Sequence, residues 1–359
     1  MGEGRISGRQ FGVLTFVLML APLIHGIPAR AAGAGRGGCL LILPAAVPLT
    51  LLLRTVLRCL DRMPEGSGLG DLYLLALGGR WGKVFCALSA LWVLMIQTAD
   101  LRFCAERFVT AVYPDTGRWV FCLTMLALTL WIARGTLEAL TRAGRILFWV
   151  VTVTLVLVLA MAAPKTHIYN VWPVTDLDPR EAARSVLRVM TVLSFAVPPC
   201  FLLGRVTRRP GGREVYLWAA IVTAAALLIG AVIFAVFGPE LAGRLEAPYF
   251  ALAKEISFRR TVQGMEVVVA AMWAMSDIAL MGMNTFVLGA LGGALLPRAG
   301  EERIRTASVA VTLVLCLLLP ASSFRMEELY RTWAMPADLM AGYGLPLVAL
   351  TAGKLRRRW

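Results

Sequence analysis

Apolar positions in this chain gather into long runs separated by short charged or Gly/Pro-rich connections. The runs fall at about 11–29, 39–58, 83–112, 118–134, 145–163, 185–204, 215–238, 264–296, 305–321 and 334–353. An α-helix rises ~1.5 Å per residue and needs ~20 residues to cross ~30 Å of hydrocarbon. The pattern therefore predicts an all-α membrane protein of ten transmembrane helices, with residues 1–359 forming one integral membrane domain. Two halves of five helices, about 11–163 and 185–353, would then match in position.

Composition agrees with the pattern. Of 359 residues, 58% are hydrophobic and 16% are charged, against roughly 45–50% and 25% in soluble domains. Ten spans and their loops leave no room for a soluble catalytic domain, and the hydrophobicity excludes a disordered chain. The formal net charge of +14 would suggest nucleic acid in a soluble protein, but here the cations lie between apolar runs. With a cytoplasmic N-terminus, Lys and Arg concentrate in the inside loops, as the positive-inside rule requires. Examples are Arg205, Arg208, Arg209 and Arg213, and the tail Lys354, Arg356, Arg357 and Arg358. Both termini are thus expected in the cytoplasm, and no nucleic-acid partner is expected.

The first run imitates a signal peptide, with Arg5 and Arg9 before it and Ala29-Arg30-Ala31 after it. Removing it would reverse the charge bias, so it is read as a retained helix. The seven cysteines stand singly in apolar surroundings and read as core filler, and the two histidines, His25 and His167, are too far apart in sequence to suggest a metal site. No phosphate loop or nucleophile elbow is present. No enzyme activity and no cofactor are expected.

Two runs carry helix breakers. The first holds Ala21-Pro22-Leu23-Ile24-His25-Gly26-Ile27-Pro28, and the sixth holds Ser194-Phe195-Ala196-Val197-Pro198-Pro199. A proline removes one helical hydrogen bond, and glycine weakens the helix around it. Unwound backbone at membrane depth is tolerated where it lines a cavity or binds a ligand, so these two spans are expected to be interrupted around a site. A pair of packing kinks is the plainer alternative. Positions one and six of ten are those that an inverted repeat would relate.

Polar residues at depth add candidates. Gln97 and Asp100 lie about 14 and 17 residues beyond Lys83, or ~21 and ~26 Å along a helix. Asp100, Cys104 and Arg107 share a face, and Arg102 and Glu106 form an i,i+4 pair expected to be solvated or snorkelling. Asp277 lies about 17 residues from Arg260 and 21 from Arg298, too deep to snorkel, so it needs a partner, a cavity or a proton. The alternative is a structural carboxyl near Asn284. Trp273, one turn before Asp277, is a weaker candidate contact beside Ser276. The candidate ligand-binding residues are therefore Pro22, His25, Gly26, Gln97, Asp100, Ser194, Phe195, Pro198, Trp273 and Asp277.

Several short stretches then resemble one family, the B subunits of endospore nutrient germinant receptors, the GerAB type within the amino acid/polyamine/organocation superfamily. These are Ile6-Ser7-Gly8-Arg9-Gln10-Phe11, Ile27-Pro28, Asp100-Leu101-Arg102-Phe103 and Tyr113-Pro114-Asp115-Thr116. Ala133 to Arg142 resembles its RGxExxxR element, and Asn170-Val171-Trp172-Pro173-Val174 its N-x-x-P-V stretch. The resemblance implies a LeuT-like fold of five-plus-five inverted repeats in the spore inner membrane, with a ligand among spans one, three, six and eight. It also implies a small nutrient ligand such as an amino acid, and A-type and C-type receptor subunits as partners. A proton- or sodium-coupled amino-acid transporter is the alternative on the same fold. The chain departs from the family in the first span, where Pro22 to Gly26 replace Gly-x-Gly. Just beyond it, Gly37 and Cys39 replace an Asp and a Trp.

Overall fold

The computed structural model describes residues 5–356 except 112, 114, 176, 246, 258–264, 321 and 322. Helices in chain order are α1 (Gly8–Ala32), α2 (Ile42–Leu60), α3 (Leu69–Leu77), α4 (Gly79–Ala111), α5 (Arg118–Ala133) and α6 (Leu137–Ala162). They continue as α7 (Pro179–Leu193), α8 (Gly212–Phe237), α9 (Pro239–Arg244), α10 (Pro248–Ser257), α11 (Met265–Leu295) and α12 (Glu301–Leu318). The last long element is α13 (Ser323–Leu329), α14 (Met335–Leu339) and α15 (Leu345–Leu355), joined by π-helical turns at Tyr330–Ala334 and Met340–Gly344. Among the described residues, seven helices are long and apolar enough to cross a membrane; α5 is apolar but shorter. The short α3, α9 and α10 were not anticipated from the apolar runs.

α1 runs through the middle of the bundle and packs against α6, α7, α8 and α11. It is apolar nearly all round, as a helix enclosed by others must be, and Leu14, Val17, Leu18, Met19, Leu20, Leu23, Ile24 and Ile27 are fully buried. All seven cysteines are buried and unpaired.

At the end of the bundle where α1 begins, several contacts join α1 to the chain after α7. Ser7 caps α1, accepting from the Gln10 amide at 3.2 Å while the Gln10 side chain accepts from the Ser7 amide at 3.1 Å. This reciprocal pair satisfies two amides that a helix start leaves free. Ile6 pairs with Val206 in an isolated parallel bridge, donating to the Arg205 carbonyl at 3.0 Å while its own carbonyl accepts from Thr207 at 2.9 Å. A Cβ on Gly8 would press on the Arg208 carbonyl. Arg209 donates to the carbonyls of Leu60 and Ser67, and Arg205 pairs with Glu301. The cationic loop after α7 is thereby tied to the ends of α2 and α12.

The opposite end is closed by the Asn170–Val174 stretch. The Asn170 side chain donates to the Ala235 carbonyl at 3.0 Å, and Arg36 donates to the Trp172 carbonyl at 3.1 Å. Gly37 passes so close to the Val174 carbonyl that a Cβ there would overlap it. Glycine at this position is thus a packing requirement.

Candidate functional site

The structure corrects the expected interruption of the first span. α1 is one continuous helix through Pro22, His25, Gly26 and Pro28. Pro22 still leaves the Leu18 carbonyl without its helical donor and crowds it with its ring. The step from the Val17 carbonyl to the Ala21 amide is spanned by the Ser276 hydroxyl of α11, which donates to Val17 at 2.6 Å and accepts from Ala21 at 2.9 Å. A hydroxyl from the neighbouring helix thus bonds two backbone groups of the turn just before Pro22 and ties α1 to α11 there. At Gly26, a Cβ would collide with the Arg30 guanidinium and with Val192, so this glycine forms the notch into which Arg30 folds.

The sixth span is interrupted as expected. α7 ends at Leu193 and gives way to 3-10 turns at Ser194–Ala196 and Pro198–Arg205. Neither Pro198 nor Pro199 has an N–H, so the helical ladder loses two donors in succession. Ser194 donates to the Thr191 carbonyl at 2.6 Å and sits against Gly342 of the last helix, where a Cβ would lie 2.6 Å from the serine Cβ. The Tyr343 hydroxyl donates to the Met190 carbonyl at 3.1 Å. Among the described residues, no polar contact joins Ser194, Phe195 or Pro198 to the charged group described next.

That group lies between α4 and α11. Arg107 Nη2 donates to Asp277 Oδ2 at 2.5 Å, with Asp277 fully buried and Arg107 nearly so. Asp100, Cys104 and Arg107 line one stripe of α4, and Asp100 and Cys104 lie within side-chain hydrogen-bonding reach of Asp277. The guanidinium also rests over the Trp273 ring, 5.5 Å from its centroid, while Trp273 stacks on Phe250 of α10 at 5.8 Å. Arg107, Phe108, Cys104, Ala270, Trp273 and Asp277 enclose about 10 Å³, which is close to the space one water needs. The group is therefore in a closed arrangement.

Burying two opposite charges carries a desolvation cost that only close pairing offsets, and breaking such a pair leaves an uncompensated charge. The expectation that Arg102 and Glu106 are solvated or snorkelling is wrong for Arg102, which is 4% exposed and pairs with Glu106 at 2.7 Å. His25 Nδ1 and Trp273 Nε1 are shut from solvent and have no hydrogen-bond partner among the described residues, and Asp100 Oδ2 and Asp277 Oδ1 meet no donor there, so a proton shared between the two neighbouring carboxyls is the bond open to them.

His25 approaches from α1, within electrostatic reach of Arg107 and Arg30. Its ring is 5.9 Å from that of Phe103, which meets Tyr330 at 5.7 Å, and Arg30 lies over Tyr330 at 5.3 Å. Tyr330 donates to Asp338 at 3.1 Å, and the other Asp338 oxygen accepts from Trp92 Nε1 at 2.9 Å. Asp338 sits in α14, between the two π-helical turns. This second buried carboxyl escaped the sequence reading because its partners come from α4 and from the turn eight residues earlier.

Of the sequence-derived candidates, His25, Asp100, Trp273 and Asp277 converge here, with Pro22 and Gly26 close by on α1. Gln97 is engaged elsewhere. Its amide donates to Thr312 of α12 at 3.1 Å and accepts from Thr285 of α11 at 3.5 Å, tying three helices together. Asn284 is buried but makes no bond to Asp277, and both its side-chain polar atoms lack partners among the described residues. Among those residues, no group of three His, Cys, Asp or Glu could hold a metal ion.

The architecture and this buried polar centre define the class, an all-α membrane protein with the LeuT-like fold. Two solved structures superpose over almost the whole chain. One is MhsT in complex with L-phenylalanine, at TM-score 0.70 and 14% identity, covering 99% of this chain and 90% of that one. The other is a substrate-bound, outward-open Na+-coupled sialic acid symporter, at TM-score 0.63 and 13% identity, covering 97% and 80%. The chain belongs to the spore germination protein family, whose sequence profile matches residues 5–325. Comparison with curated proteins gives no match.

Proposed function

We propose that the protein is the B-type membrane subunit of a germinant receptor and senses a small zwitterionic nutrient, an amino acid. The observation that carries this reading is the charge count between α4 and α11, where one guanidinium, Arg107, faces two carboxyls, Asp277 and Asp100. Two ionised carboxyls and one cation in so small a space would be unbalanced, so either one carboxyl holds a proton or a second cation takes its place. The ammonium of an amino acid is such a cation, and its carboxylate suits the fork of Arg107. Membership of the spore germination family supports the sensing role. One neighbour in fold, MhsT, is solved with L-phenylalanine, an amino acid.

In this reading Asp100 and Asp277 receive the ammonium, and Arg107 turns from Asp277 toward the ligand carboxylate. Trp273 and His25 then border the ligand. The enclosed volume is far below that of an amino acid, so binding requires the α1 and α7 side to move from α4 and α11. The signal passed to neighbouring subunits is limited to the ligand's preference for the open arrangement. A- and C-type subunits would receive it. α5, α12 and the last helix would join the seven long spans to make ten, with both termini cytoplasmic and the halves about 11–163 and 185–353 related as inverted repeats.

Calorimetric titration of the purified chain with individual amino acids tests the reading. Binding by at least one, weakened tenfold or more in Asp100→Asn and in Asp277→Asn, is the expected result, and unchanged affinity in both would remove the site. The excess carboxyl also favours a second reading, a proton- or sodium-coupled transporter using the same centre. Gradient-driven accumulation in proteoliposomes would establish transport, whereas binding without accumulation supports sensing.

A further inference from the structure

A second feature lies on the outside of the bundle, between α2 and α8. Leu43, Val47 and Leu51 follow one another at i, i+4 and i+8 on α2 and are each about half exposed, forming a ridge. Across from them α8 presents small residues, Ala220 and Ala224, with Thr223 between them. Bulk on one helix and its absence on the other leave an apolar groove of about 530 Å³. From Leu43 to Leu51 it extends ~12 Å along α2.

The groove ends at a cation. Arg54 lies one turn beyond Leu51 and six residues before the end of α2, so it is ~9 Å inside an apolar span. Its guanidinium rests 6.0 Å from the Tyr216 ring centroid and against Gly212, the first residue of α8, where a Cβ would overlap it. No carboxylate pairs with Arg54 among the described residues, and its Nε is shut from solvent without a hydrogen-bond partner. The nearest acid on α8, Glu214, is engaged with the Gly211 amide at 2.6 Å. That carboxylate offsets the amide potential at the start of α8 and leaves Arg54 itself as the group that would meet an anion. Arg58, one turn past Arg54, and Arg213 add further cations.

An arginine inside a span needs a counter-charge or a route to the interface. An apolar groove leading to such a cation, on the face of a membrane helix pair, fits a molecule with a long apolar chain and an anionic head. We propose that this groove is a binding site for an anionic phospholipid, with one acyl chain along Ala220 and Ala224 and the phosphate at Arg54 beside the start of α8. The lipid would join α2 to α8, whose neighbours include the centrally placed α1, so lipid composition would tune the stability of the sensing core.

Native mass spectrometry of the full chain in detergent, with phosphatidylglycerol or phosphatidylcholine of identical chains added, tests this directly. Tenfold or greater preference for phosphatidylglycerol is expected. Arg54→Gln should abolish the preference while leaving the groove open, and Ala224→Phe should reduce retention of both lipids. Equal retention of the two lipids by the wild type overturns the proposal, as does undiminished preference in Arg54→Gln. Glycerol phosphate competing as well as the intact lipid would overturn the role of the groove. A wild-type dimer that forms on delipidation and is lost in Ala224→Phe would make a second copy the occupant and equally overturn the lipid assignment.

Discussion

Removing carboxyls from the α4–α11 centre should produce a strongly non-additive pattern. Arg107 remains charged in any protein environment, so its burial is tolerable only while a carboxylate faces it. In the wild type that partner is Asp277, at 2.5 Å, and Asp100 is close enough to replace it. Asp100→Asn alone removes the excess carboxyl and should change stability by less than about 1 kcal/mol. Asp277→Asn breaks the short ion pair but leaves Asp100 to take its place, at a cost of about 1–2 kcal/mol. With both changed, Arg107 faces no carboxylate from this pair and the full penalty of about 3–5 kcal/mol applies. The double variant should therefore lose clearly more than the sum of the singles, and adding Arg107→Leu should recover much of the loss. Equilibrium unfolding in mixed micelles, followed by tryptophan fluorescence, gives the four free energies. If the effects add to within about 0.5 kcal/mol, or if Asp277→Asn is neutral, then Arg107 is solvated and the centre described here does not exist.

Three further outcomes follow from particular contacts. Ser276→Ala removes the hydroxyl that spans Val17 and Ala21; two buried backbone groups lose their partner, and a loss of about 2–4 kcal/mol is expected by the same unfolding assay, with a smaller value meaning that α1 recloses its own ladder. Asp338→Leu strands Trp92 Nε1 and the Tyr330 hydroxyl; it should cost about 2–4 kcal/mol and shift the tryptophan emission, while unchanged emission would place Trp92 elsewhere. Gly37→Ala should lower the unfolding midpoint by at least several degrees, because the methyl overlaps the Val174 carbonyl; a neutral result would show that the Asn170–Val174 stretch does not press on this turn.

What the sequence disclosed followed physical scale. Long apolar runs declare membrane helices residue by residue, and Pro198-Pro199 declared an interruption because no neighbour can supply the missing N–H groups within the ladder. Pro22 declared one too, yet α1 continues as one helix, and Ser276, 254 positions further along the chain than Pro22, braces the adjoining step from Val17 to Ala21. Such a brace is invisible to local reading. Asp277 was legible as a deep carboxyl needing a partner. The partner's identity was not, since Arg107 sits near the end of its helix where snorkelling is the ordinary outcome. The pattern of Asp100, Cys104 and Arg107 on one face was the available signal. Asp338 gave none, because the π-helical turns on either side of it break the regular spacing by which faces are read. Gly37 looked like a lost functional residue in the sequence and proves to be a steric requirement of the fold.

At one site beside α1 a guanidinium and two carboxyls meet, and ligand binding there is the central claim. Calorimetry of the wild type, Arg107→Gln, Asp100→Asn and Asp277→Asn against a panel of free amino acids and their decarboxylated amines tests it most directly. At least one amino acid should bind the wild type, and Arg107→Gln should weaken the amino acid far more than its amine. Each aspartate variant should weaken both. An amino acid that binds all three variants as tightly as the wild type would contradict it.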